Sequence, residues 1–158
     1  MGLFNKKSTL EQFGTALRGA YVDMCKDWYT SLTGTPNGEL KWPQDLMNEI
    51  GALDYFAIEL GVSSSTDRSR ADRIIGAFLE ASPPPSHIAS LFTERCSQYA
   101  NAIRSADQER GSQRLGEIFA EHCGHKGDPL VFALASTHFM NTLAFIAEQT
   151  KQAIQTMN

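Results

Sequence analysis

Between Pro129 and Ala147 the chain runs for 19 residues without a charged side chain. Nothing else in it constrains the fold so strongly. A helix of about 20 apolar residues is long enough to cross a bilayer, so a chain that stays in water must cover it. The run also carries Ser136, Thr137, His138, Asn141 and Thr142. Polar groups near the middle of a span are costly in hydrocarbon. No basic cluster flanks the run. The expectation is a soluble bundle with this helix at its centre, apolar nearly all round and enclosed by its neighbours. Asp128 is a good N-cap for it, and Pro129 suits the first helical position.

The rest of the chain supplies cover. Leu10, Phe13, Leu17, Tyr21, Met24, Trp28 and Leu32 recur at three- and four-residue steps, with Cys25 at the edge of their arc. That spacing predicts a helix with one buried face. Ser8-Thr9-Leu10-Glu11 reads as its capping box, and the Gly34 to Gly38 turn ends it. A second helix starts near Pro43 and ends at Gly61, burying Leu46, Ile50, Leu53, Ala57 and Leu60. A third reaches Ala81 and stops at the stiff Ser82 to Ser86 segment, which holds three consecutive prolines. A fourth covers Ser86 to Arg104, and a fifth runs from the capping box Ser105 to Gln108 to about Gly124. No alternating β-branched run and no Asn-Gly hairpin is present, so strand content should be near zero. The fold class is all-α: a single domain, residues 1–158, of five to six helices with a central apolar C-terminal helix. Residues 1–7 are expected as a flexible arm bearing Leu3 and Phe4.

At 158 residues the chain can bury a core without disulfides or a structural metal. Its three cysteines, Cys25, Cys96 and Cys123, form no C-x-x-C pair. They read as small buried hydrophobes in a reducing, cytoplasmic setting. The N-terminal residues hold no apolar run of signal-peptide length. Lys6 stands where a myristoylation pattern needs Ser or Thr. A formal charge of −4 argues against nucleic-acid binding. No membrane association and no cofactor is expected.

Three segments carry chemistry worth weighing. His122, Cys123 and His125 place three potential metal ligands within four positions. Zinc accepts imidazole and thiolate. Against that, His122 continues the stripe of Leu115, Ile118 and Phe119, and a histidine at a helix C-terminus complements the helix dipole without a metal. No second ligand pair exists to close a tetrahedral site, so a metal is not expected. A di-iron bundle needs Glu three residues before His on two helices. Pro84, Phe119, His122 and Ala135 occupy those positions, so that chemistry is excluded. His138 falls on the arc of Val131, Leu134, Thr142 and Phe145. There it is either a core histidine bonded to a neighbouring polar group or a ligand-binding residue facing a pocket.

The second helix offers a surface. Asp45, Glu49, Phe56 and Glu59 share an arc of about 80° at 100° per residue, with Trp42 and Tyr55 close by. An aromatic rimmed by acidic residues is how an interface core looks, unless another helix of the same chain covers Phe56. No nucleophile elbow, phosphate loop or dinucleotide fingerprint is present. The expectation is a non-catalytic interaction module, binding a protein partner or forming a homodimer through Trp42, Asp45, Glu49, Tyr55, Phe56 and Glu59. The alternative is a metal- or small-ligand-binding bundle using His138 or the Glu121 to His125 segment.

Overall fold

Thr9 opens the first helix. Its hydroxyl accepts from the Gln12 amide at 3.2 Å, and the Gln12 side chain accepts from the Thr9 amide at 2.8 Å. This reciprocal cap is the expected motif displaced by one residue, with Thr9 and Gln12 in place of Ser8 and Glu11. The displacement frees Glu11 to accept from Arg73 Nε at 2.6 Å, which ties the first helix to the third.

The computed structural model describes residues 9–34, 39–105 and 107–157; the expected N-terminal arm lies outside them. Its elements include α1 (Leu10–Thr33), α2 (Leu46–Ser63), α3 (Arg68–Ala81), a 3-10 turn at Ser86–Ile88, α4 (Ala89–Arg104), α5 (Gln108–His122) and α6 (Pro129–Met157). The all-α class is as the sequence implies, and no strand occurs among the described residues. Aspartates cap three helices. Asp67 accepts from the Arg70 amide, Asp107 from the Arg110 amide and Asp128 from the Leu130 amide. Ser105, expected to open α5, instead closes α4 and donates to the Ala102 carbonyl. Pro43 lies in the turn before α2, its carbonyl accepting from the Leu46 amide.

The centre of the bundle is α2 and not α6. Every residue of α2 from Glu49 to Ile58 is buried. One side, with Ile50, Leu53, Phe56 and Ala57, joins Trp28, Tyr99, Phe119 and Phe139 in one core cluster. The other, with Ala52, Tyr55, Ile58 and Val62, joins Phe13, Leu17, Ile74, Phe78 and Ile146 in a second. Each fully buried Leu, Ile or Phe of this kind contributes roughly 1.5–3 kcal/mol, so α2 holds the two clusters together. Helix α6 buries a single stripe, Val131, Ala135, Phe139, Thr142, Ile146 and Ala153. By length and composition it could cross a membrane, yet only 28% of its most apolar window is buried. Hydropathy misleads here because Glu49 and Asp54 lower the apparent apolarity of α2, while inside the fold both are paired.

Two glycines set the helix spacing. A Cβ on Gly14 would collide with the Ile74 carbonyl where α1 crosses α3. One on Gly116 would collide with the Phe132 carbonyl where α5 crosses α6. Only the absence of a side chain lets these backbones approach so closely.

Candidate functional site: a buried aspartate–histidine pair

The site grows from three helices. Helix α1 contributes Cys25 and Trp28, three residues apart and so on one face. Helix α2 contributes Asp54, which has no exposed surface. Helix α6 contributes His138 and, one turn later, Thr142. A carboxylate enclosed this fully is tolerated only when donors replace its lost water. His138 Nε2 stands 2.6 Å from Asp54 Oδ1, and Cys25 Sγ donates to Oδ2 at 3.3 Å. Both carboxylate oxygens are thereby satisfied. The Thr142 hydroxyl makes a longer contact of 3.4 Å with the same ring nitrogen.

The imidazole is fixed on a second side. It stacks on the Trp28 indole with centroids 4.0 Å apart and planes 5° from parallel. With Nε2–H donating to the carboxylate, a neutral ring carries its lone pair on Nδ1. Among the described residues, both hydrogen bonds of His138 use Nε2. The His138 side chain is 16% exposed and lines a groove of about 330 Å³ between α1 and α6. Trp28 and Ser31 line it on one side, Leu134, Thr137 and Asn141 on the other. The arrangement can orient an imidazole and present its free nitrogen beside an aromatic wall. Cys25 is no nucleophile here. Burial first, then the Asp54 charge, raise its thiol far above the ordinary range, so it remains a protonated donor.

The expected acidic-aromatic surface on α2 does not exist within the chain. Phe56 is 6% exposed, packed between Phe139 and Tyr99. Tyr55 is buried, its hydroxyl donating to the Ser82 carbonyl at 2.8 Å. Glu49 is buried in a bidentate pair with Arg95, at 2.9 and 3.0 Å. Trp42 is half-buried and donates to the Leu32 carbonyl. Only Asp45 is exposed, and Glu59 is half-buried. The reason is that α4 and α6 both pack on α2, covering the arc that a lone helical wheel leaves open.

The three candidate metal ligands are not brought together either. His122 Nε2 pairs with Gln98 Oε1 at 2.7 Å. His125 Nε2 donates to the Lys41 carbonyl at 2.6 Å, its ring tilted against Trp42. Cys123 is buried, its thiol pushed up by burial. Among the described residues no group of three His, Cys, Asp or Glu side chains is placed to hold a metal ion.

His138 is thus the sequence-derived site residue that the fold pairs with a fully buried carboxylate at the edge of a groove. Asp54 was missed as its partner. The available signal was a lone carboxylate inside the apolar run Ile50 to Ile58, which has to find a donor once buried. In class, the molecule is an all-α bundle with an aspartate-oriented histidine at the mouth of a groove. Comparison with known proteins yields no match to any family model, curated protein or solved structure.

Proposed function

We propose that this protein is a small-ligand-binding helical bundle whose site is the α1–α6 groove at His138. The observation that carries the reading is the fully buried Asp54 holding an imidazole that also stacks on Trp28 and reaches the groove. A buried carboxylate and a locked ring are expensive features for a surface that binds nothing. The groove fits a ligand with a flat or apolar body lying along Trp28 and Leu134, and a hydrogen-bond donor placed for Nδ1. Thr137 and Asn141 add polar partners at its rim.

Protein-detected NMR with a fragment library tests this. Donor-bearing aromatic fragments should shift the Trp28 indole and the Leu134 methyl signals. His138→Gln keeps an amide donor for Asp54 but removes the ring, and should abolish those shifts. Ala133→Trp, at an exposed groove position, should block them by filling the space. The reading fails when no fragment moves these signals, or when the hits survive both variants.

A second reading, self-association, rests on a different observation. Leu130 and Phe145 are 49% and 40% exposed on a helix uncharged from Pro129 to Ala147. Two exposed large apolar side chains on one uncharged helix suit a second copy of the chain in a two-fold pair. Light scattering after size exclusion should then give a dimer that Phe145→Asp converts to a monomer. A monomer at all concentrations removes this reading and leaves the first untouched.

A further inference from the structure

A second groove, remote from His138, lies between α2 and α4. We propose that it binds an organic ammonium carried on an apolar body, with Glu59 as the counter-ion. The space is about 640 Å³, within the range of small-molecule sites. Its floor is apolar, with Leu79, Phe92 and Cys96. Pro83 and Pro84 also line it, and the Tyr55 hydroxyl holds that segment by donating to the Ser82 carbonyl at 2.8 Å. The cavity is therefore shaped before any ligand arrives, which lowers the cost of binding.

Glu59 is the one carboxylate in the lining. Burial raises its carboxyl above the ordinary range, and no ion pair or hydrogen bond to a described residue answers it. The two fully buried acids among the described residues both have a partner: Glu49 has Arg95, and Asp54 has His138 and Cys25. Half-buried Glu59 has none, and it lines the groove. A carboxylate desolvated by apolar walls gains most from a compact cation that brings its own apolar surface. Arg104 lines the same groove but is exposed at the end of α4, where water and salt screen its charge. An anionic ligand would have to place its charge beside Glu59 and is disfavoured.

Calorimetric titration with phenethylammonium, 2-phenylethanol and 3-phenylpropionate at neutral pH tests the assignment. The three probes share a ring and differ in charge. The ammonium should bind roughly tenfold or more tightly than the alcohol, and the carboxylate weakest of all. Glu59→Gln should bring the ammonium down to the level of the alcohol. Ser97→Trp, at an exposed position on the rim, should weaken all three. The proposal is overturned when the ammonium binds no better than the alcohol, or when Glu59→Gln leaves its affinity unchanged. It is equally overturned when none of the probes binds. Because the ammonium-to-alcohol ratio is read on the native protein, it decides the matter even where a variant fails to fold.

Discussion

Asp54 Oδ1 and His138 Nε2 stand 2.6 Å apart although 84 residues separate them in the chain. The carboxylate is wholly buried and the ring reaches the groove, so the two partners are unequal. His138→Leu strands a buried carboxylate with only a thiol for company, and should cost roughly 3–5 kcal/mol. Asp54→Leu strands a ring that water can still reach, and should cost less, about 1.5–3 kcal/mol. The double variant should recover part of the sum, since neither orphan remains. Urea denaturation of the four proteins measures this. Equal, additive losses would show that the pair is not energetically coupled.

How much of this was legible in the sequence depends on the kind of interaction. Helices and caps are local, and their signals lie within a few residues: Asp128 and Pro129 open α6 as read. Layering is not local. The uncharged run from Pro129 to Ala147 is the longest in the chain, yet α2 lies inside because both its sides are apolar and Arg95 and His138 reach across to its Glu49 and Asp54. The wheel of α2 could not show that α4 and α6 cover Phe56. His138 was visible as a polar residue on a buried arc; Asp54, Cys25 and Trp28 as its neighbours required the tertiary fold.

The two classes of glycine in α1 should respond with opposite sign. At Gly14 a methyl group meets the Ile74 carbonyl, while at Gly19 it meets nothing within 4 Å. Gly19→Ala should therefore stabilise by about 0.5–1 kcal/mol, the backbone entropy that a helical glycine forfeits. Gly14→Ala has to push α1 off α3 and should destabilise by roughly 1–3 kcal/mol. Thermal denaturation of both variants gives the comparison. Two shifts in the same direction would mean that the α1–α3 approach is looser than the geometry indicates.

Tyr99 is completely buried, and its hydroxyl has no hydrogen-bond partner among the described residues. An unsatisfied buried hydroxyl carries a desolvation penalty of about 1–3 kcal/mol. The ring packs against Phe56, with centroids 5.8 Å apart, and Tyr99→Phe preserves that contact. The substitution should leave stability unchanged or raise it by up to about 1 kcal/mol. A loss of more than about 1 kcal/mol in urea denaturation would reveal a partner for the hydroxyl, such as an internal water.

His122 supplies the pH dependence with a definite sign. Burial, and after it the nearby Arg95 guanidinium, hold its imidazole below the ordinary value of 6.5. The hydrogen bond has a defined direction as well. Gln98 Nε2 donates to Glu94 Oε1 at 3.3 Å, which leaves Gln98 Oε1 to accept from His122 Nε2 at 2.7 Å. The neutral ring therefore suffices in the fold. The unfolded ring takes up a proton as pH falls through about 6.5, while the folded ring resists it until lower pH. The stability tied to this group is fully present above 6.5. It is lost progressively as pH falls from there through the depressed folded value. His122→Gln cannot titrate and retains an amide that can donate to Gln98. The native melting temperature should fall more steeply than that of the variant on going from mildly alkaline to mildly acidic buffer. Parallel curves would mean that His122 is protonated as readily in the fold as out of it.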